Sequence, residues 1–357
     1  MADVLRIEGL GKSYGSKLAL RDVSLAVADN EYVSLLGPSG SGKTVLLRLI
    51  AGFELPDRGR ILFDGKDIAT VPAHKRGIGF VFQNFALFPH LSVYDNIGFG
   101  LVNRESDPVI DPLALRSRLN AMVELVGLSG LEDRGVHQIS GGQRQRVALA
   151  RTLVSQPRIV LLDEPLGALD ANLRTRMRGE LRRIRSQLGV TFLHVTGSES
   201  EALAMGDRIV VLNEGLIGQV DTPDIVYNSP LSPNVVHSLN CYNLFAGDIQ
   251  SGSFLAGAHS FPLTSKLHSN PSPAYAIRQD LISVRPSNAS LASGEAGLTA
   301  TYLASEYTGA AFMYFFRAED GHIVEVENHL SHRAAQNLDV NATYQLVWKA
   351  DDAIVYG

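Results

Sequence analysis

Gly37-Pro38-Ser39-Gly40-Ser41-Gly42-Lys43-Thr44 meets the phosphate-loop pattern G-x-x-x-x-G-K-[ST] at every specified position. Glycines let the backbone curl until consecutive N–H groups point inward, toward the α- and β-phosphates of a nucleotide. Lys43 is placed to reach the β- and γ-phosphates, and the Thr44 hydroxyl to ligate Mg2+. The flanks agree: Tyr32-Val33-Ser34-Leu35-Leu36 is a short apolar strand, and Thr44–Ala51 reads as a helix whose N-terminus faces the anion. A Gly-rich strand-to-helix turn with no ligand is the plainer reading of such a stretch. The complete pattern in that setting favours a nucleoside triphosphate site.

Upstream, residues 4–35 alternate apolar and polar in short runs, which predicts antiparallel strands. Tyr14 lies among them. An aromatic there could stack on a base, although packing on strand neighbours is the commoner use of a tyrosine. Downstream, Ile61-Leu62-Phe63 followed by Asp64-Gly65 reads as a hairpin, and Gly79–Gln83 as a buried strand ending in an amide. Residues 91–130 are mostly helical, with Leu115, Leu119, Met122, Val123 and Val126 at spacings of three and four.

Ser140-Gly141-Gly142-Gln143 opens a helix rich in arginine: Ser140 is a good N-cap, and the glycines leave N–H groups free for an anion. Ile159–Leu162 is an apolar strand that ends in Asp163 and Glu164. Beside a phosphate loop, the first acid can hold the Mg2+ shell and the second can polarise a water. Residues 171–188 predict an amphipathic helix, with Leu173, Met177, Leu181, Ile184 and Leu188 as its buried stripe. Arg174, Arg178, Arg182 and Arg185 are expected on a solvated face.

The whole chain has 357 residues, 45% hydrophobic and 19% charged, with a formal net charge of −5 and one cysteine, Cys241. That excludes an internal disulfide and argues against a nucleic-acid binder. No apolar run approaches the length needed to span a bilayer, and the first residues lack the basic and apolar regions of a leader. Past residue 238 the composition shifts to strand-like runs between Ser/Pro/Asn stretches, so residues 239–357 are expected to form a separate β domain, a barrel or sandwich. Its clearest hairpin joins Phe312–Phe316 to Ile323–Val326.

With Ser140–Gln143 placed between the phosphate loop and Asp163-Glu164, residues 1–238 resemble the ATP-binding subunit of an ABC transporter. Gln83 and Leu166-Gly167-Ala168-Leu169-Asp170 complete the resemblance. It implies an α/β fold, with a RecA-like ATPase core and a helical subdomain over about 86–156. Tyr14 stands at the family's adenine-stacking position. ATP would be held by Gly37, Pro38, Ser39, Gly40, Ser41, Gly42, Lys43, Thr44 and Gln83, and Mg2+ by Thr44, Gln83 and Asp163. Glu164 would be the general base. Ser140, Gly141, Gly142 and Gln143 would face the ATP of a second subunit, with Asp170 in the D-loop. The implied partners are a second ATPase subunit in a homo- or heterodimer, two membrane permease subunits and, indirectly, a periplasmic or extracellular solute-binding protein. No nucleic acid is implied. The implied location is peripheral, on the cytoplasmic face of a bacterial inner membrane. Phe82-Gln83-Asn84-Phe85-Ala86-Leu87-Phe88-Pro89-His90 looks like importers of sugars, polyamines, iron and sulfate. The β domain resembles their TOBE domain, with Ile277-Arg278 and Val347–Ala353 at its recurring motifs.

One position departs from the family. Where it has Thr-His-Asp, with a histidine that contacts the γ-phosphate, this chain has Thr196-Gly197-Ser198. His194 lies about 10 Å back along the strand and reads as a buried structural histidine. Ser198 is the nearest substitute donor. The departure opens an alternative: a nucleotide-binding regulatory partner, impaired in hydrolysis, within a heterodimer.

Overall fold

The structure is a computed structural model that describes residues 3–103, 108–109, 111–167, 169–263, 267–331 and 334–357. Two compact units divide it, Met1–Val226 and Tyr227–Gly357. The composition change near residue 238 lies inside the second, because Tyr242 and Tyr356 donate hydroxyl hydrogen bonds to the carbonyls of Tyr227 and Pro230, at 2.8 and 2.7 Å.

The first unit begins with the expected antiparallel pair, β1 (Asp3–Tyr14) and β2 (Lys17–Ala28). They join β4 (Arg58–Phe63) and β5 (Lys66–Asp67), which are linked through Asp64 and Gly65, both at positive φ. The second sheet carries β3 (Tyr32–Leu36), β6 (Gly79–Val81), β7 (Ile159–Asp163), β8 (Thr191–Thr196), β9 (Arg208–Asn213) and β10 (Leu216–Asp221), in the order β10-β9-β3-β8-β7-β6. Five strands run parallel; β10 is antiparallel at one edge. A parallel sheet is covered on both faces, and its strands read as unbroken apolar runs for that reason. In β7, Ile159 and Leu161 enter the core shared with β1, β2 and α1 (Lys43–Ala51). Val160 and Leu162 enter the core shared with the helices of the other face.

Those helices are α2 (Val93–Asn103), α3 (Pro112–Leu125), α4 (Gly141–Leu153) and α5 (Ala171–Leu188), followed by the short α6 (Glu199–Met205). Leu119, Met122, Val123 and Val126 are buried as their spacing predicts. The stripe of α5 is narrower than expected: Met177, Leu181 and Ile184 are buried, but Leu188 is exposed at the last turn. Its arginines are not merely solvated. Arg182 donates to the Ala204 carbonyl, Arg183 to that of Leu125 at 2.5 Å, and Arg185 pairs with Asp207 at 2.6 Å. They fasten α5 to its neighbours.

The second unit is built of strands around one aromatic core. A five-stranded antiparallel sheet runs, in order, Ser283–Pro286, Thr343–Lys349, Glu295–Tyr307, Ala311–Ala318 and Ile323–His329. It includes the expected hairpin, with Phe316 opposite Val324. A four-stranded and a three-stranded sheet complete the unit. Phe261, Tyr275 and Trp348 meet in the core, and Trp348 Nε1 donates to the Tyr275 hydroxyl at 3.0 Å. Arg278 pairs with Asp280 at 2.6 Å and lies over the ring of Tyr227.

Candidate functional site

Three strands of the parallel sheet end side by side. Leu36 of β3 is in register with Thr196 of β8, and Val195 of β8 with Asp163 of β7. The loops that leave this carboxyl edge hold the candidate site, the usual place for a ligand in an open parallel sheet.

From β3 the chain enters the phosphate loop. A Cβ on Gly37 would lie 2.0 Å from the Leu212 carbonyl oxygen, so no side chain fits there. Gly42 combines φ 106° with an approach of 2.7 Å to the Ala19 carbonyl, and it caps α1 without any side-chain acceptor. Since the first turn of α1 also lacks an acidic residue, its amides face the loop uncompensated. Such a helix start favours an anion. The Ser41 hydroxyl is buried with no hydrogen-bond partner. Lys43 is 6% exposed, and its Nζ donates to the carbonyls of Gly37 and Pro38 at 2.6 and 2.9 Å. Burial lowers its pKa, opposed by the charges of Glu164 and Asp163.

The carboxylates approach from β7. Thr44 Oγ1 donates to Asp163 Oδ1 at 3.2 Å, and Gln83 Nε2 to Glu164 Oε2 at 2.9 Å. Burial raises the Asp163 pKa, and the Thr44 hydrogen bond opposes that shift. Glu164 stands at φ 45°, a left-handed conformation unusual for a residue with a side chain. Its N–H donates to the Val195 carbonyl at 3.0 Å, which ties β7 to β8 at the site. Gln83 follows β6, and the carbonyls of Phe85 and Ala86 after it accept from Arg151 of α4 at 2.9 and 2.7 Å. Sequence reasoning missed this role of Arg151, because positive φ at Phe85 and Ala86 leaves no compositional trace.

Tyr14, Ser39, Gly40, Gly42, Lys43, Thr44 and Glu164 line one cavity of about 360 Å3, together with Lys17, Ala19 and Val45, which sequence reasoning did not single out. Tyr14 is half exposed, bonded to Glu54 through its hydroxyl. Burial and Glu54 push its pKa up to about 12. The ring stands free of the protein core, unlike a tyrosine packed on strand neighbours.

Ser140, Gly141, Gly142 and Gln143 do not line this cavity. They open α4 with a capping box: Ser140 Oγ accepts from Gln143 N–H at 3.3 Å, and Gln143 Oε1 from Ser140 N–H at 2.8 Å. Gly142 has a packing reason as well, since a Cβ would meet Leu173 at 2.7 Å. Asp170 caps α5 through Leu173 N–H at 2.9 Å. Ala168 of the same segment lies outside the described residues. His194 is fully buried, as expected, with Nδ1 3.1 Å from the Tyr32 hydroxyl. Gly197 is exposed, and a Cβ there would meet nothing within 4 Å. The Ser198 hydroxyl is engaged locally, accepting from Glu201 N–H at 3.4 Å and lying 3.1 Å from Ser200 Oγ, so it is spent on capping α6.

The fit to a magnesium nucleotide can be judged from these atoms. A backbone cradle that a Cβ would fill, free helix amides and a buried lysine suit polyphosphate. The hydroxyl, carboxylate and amide oxygens of Thr44, Asp163 and Gln83 suit a hard cation.

Residues 20–167 match the family described as ABC transporter, and residues 282–355 the TOBE domain. The chain is 50% identical over 229 residues to the spermidine/putrescine import ATP-binding protein PotA of Spiroplasma citri, covering 64% of this chain and 64% of that protein. It is 42% identical over 322 residues to the sulfate/thiosulfate import ATP-binding protein CysA of Caulobacter vibrioides, covering 90% and 92%. Among solved structures, cbiO1 of Clostridium perfringens, part of the ABC transporter complex cbiONQ, superposes with a TM-score of 0.58 at 29% identity over 67% of this chain and 95% of its own. The dimeric ATP-binding cassette MJ0796, bound to ADP and Pi after hydrolysis, gives a TM-score of 0.55 at 30% identity over 61% of this chain and 98% of its own.

Proposed function

This chain belongs to the ABC transporter family of ATP-binding proteins, and from that premise we propose that it binds and hydrolyses ATP to energise solute import through membrane subunits on other chains. The observation that carries this reading is the single cavity shared by Tyr14, the phosphate loop and Glu164, with Asp163 hydrogen-bonded to Thr44 at its side. Tyr14 stacks on the base, and Lys43 with the loop amides binds the phosphates. Thr44, Asp163 and Gln83 would hold Mg2+, which neutralises phosphate charge when bound. Glu164 takes a proton from the attacking water as its oxygen bonds to the γ-phosphorus and the bond to ADP breaks.

Ser140–Gln143, outside the cavity of its own chain, serves the ATP of a second subunit, with Asp170 beside that contact. The working unit is a dimer bound to the cytoplasmic face of the membrane by two permease subunits, with a solute-binding protein on the far side. No helix among the described residues is long and apolar enough to cross a membrane. The ATPase domain is assigned to residues 1–238, with its helical subdomain over about 86–156, and the β domain to 239–357, with residues 227–238 packed against the β domain. Both relatives are named as import ATP-binding proteins, which favours the energising reading over the regulatory alternative.

Glu164→Gln tests the assignment. Nucleotide binding should persist while turnover falls on the order of 10²–10⁴-fold. Undiminished hydrolysis would move the base elsewhere.

A further inference from the structure

The 196–198 turn is held from below by side chains that the site described above does not use. Glu201, on α6, is 2% exposed. Its Oε2 accepts from Thr196 Oγ1 at 2.8 Å, and Thr196 Oγ1 accepts in turn from the Ser198 N–H at 3.0 Å. Its Oε1 lies 3.4 Å from Arg174 Nε. Arg174 also donates through Nη2 to the Leu169 carbonyl at 3.1 Å. Contacts therefore link the Leu169 carbonyl to the turn, by hydrogen bonds at either end and an ion pair between Arg174 and Glu201.

The same carboxylate faces one more titratable group, His194, whose Nε2 is 3.9 Å away and has no hydrogen-bond partner. Burial leaves that imidazole neutral, so Arg174 is the charge that compensates Glu201. A buried carboxylate is costly unless it is paired and bonded; here Oε2 accepts from the Thr196 hydroxyl, and Oε1 faces Arg174 as an ion pair without a hydrogen bond.

We propose that Glu201 is a positioning residue for hydrolysis: through Thr196 it sets the backbone of the Thr196–Ser198 turn, and through Arg174 it links that turn to the Leu169 carbonyl. The inference rests on the hydrolytic reading above. The turn starts where Thr196 is in register with Leu36, next to the phosphate loop, and Val195 is in register with Asp163. Gly197 brings no side chain to this edge, and the Ser198 hydroxyl is spent on α6. What the turn can offer is backbone N–H, and a backbone donor assists only if it is held in place before charge develops. Glu201 supplies that restraint from beneath.

The test compares Thr196→Val, which removes the hydroxyl at nearly constant volume, with Thr196→Ser, which keeps it. Steady-state ATPase kinetics, binding of a fluorescent ATP analogue, and hydrogen exchange at the Ser198 amide are measured on the full chain. Thr196→Val should lower kcat on the order of 10–100-fold and speed Ser198 exchange, with KM and analogue affinity within about twofold of the parent. Thr196→Ser should restore both. Arg174→Gln should lower kcat less, and the double variant should lose less than the two single losses combined. Unchanged kcat in Thr196→Val, or equal loss in Thr196→Ser, overturns the proposal. Should the parent bind the analogue without turning it over, the hydrolytic reading fails by itself, and the exchange data decide: unchanged protection of Ser198 in Thr196→Val overturns the positioning role.

Discussion

The 37–42 loop and the 196–198 turn leave adjacent strands, β3 and β8, and use glycine for opposite ends. Gly37 is wedged against the backbone of Leu212, where any Cβ would overlap the carbonyl oxygen. Gly197 faces open space. The loop starts α1 with no side-chain cap, whereas the turn spends the Ser198 N–H on Thr196 and the Ser198 hydroxyl on α6. One glycine is demanded by packing. The other is permitted by it. The cradle thus tolerates no substitution at its first glycine, while the glycine of its neighbour has no steric reason.

The sharpest way to break this contrast is Gly37→Ala. Displacing the Leu212 backbone should cost about 3 kcal/mol and abolish nucleotide binding, while Gly197→Ala should stay within about 0.5 kcal/mol of the parent by chemical denaturation. Equal stabilities for the two variants would erase the distinction. Next in size, Gly197→His adds a donor at the catalytic edge where there is room for one. A preorganised donor to developing charge is worth roughly 10²-fold, so kcat should rise toward that factor with binding unchanged. A rate that is unchanged or lower would mean that the backbone of the turn already does the work.

Lys43→Ala should weaken ATP binding on the order of 10–100-fold by equilibrium titration, because it removes charge-assisted contacts to phosphate. Affinity within twofold of the parent would free the loop from its assigned ligand. The smallest effect concerns the support of the turn. Burial lowers the His194 pKa from 6.5 to about 3, so the unfolded chain binds a proton that the folded chain refuses. Stability is therefore complete above the unfolded pKa and is lost as pH falls through the window from about 6.5 toward 3, at a slope of at most about 1.4 kcal/mol per pH unit. His194→Gln should flatten the fall in melting temperature between neutral pH and pH 5. A slope equal to the parent's would assign the dependence to other groups.

The same contrast explains what the sequence could convey. The phosphate loop is legible because its glycines, Lys43 and Thr44 are contiguous, and each residue type states its own requirement. Ser140 is legible as a cap for the same local reason. The restraint on the turn is not, since Thr196 and Glu201 acquire meaning only beside Arg174 and Leu169 from another helix and loop. The arginines of α5 show the limit of periodicity. Spacing gives the face on which they lie, but not the carbonyls of Ala204 and Leu125 waiting there. In the second unit the Phe312–Val326 hairpin was readable from its turn, while the pairing of Glu295–Tyr307 with Thr343–Lys349 joins segments too distant for any local signal.

Glu164 carries a consequence of its own. At φ 45° it occupies backbone that glycine or asparagine would adopt more cheaply, at a cost on the order of 1 kcal/mol. Relief of that strain and loss of the acid are therefore the same mutation. On the proposed role of Glu164 as general base, selection for thermostability alone would drift toward an inert chain at this position.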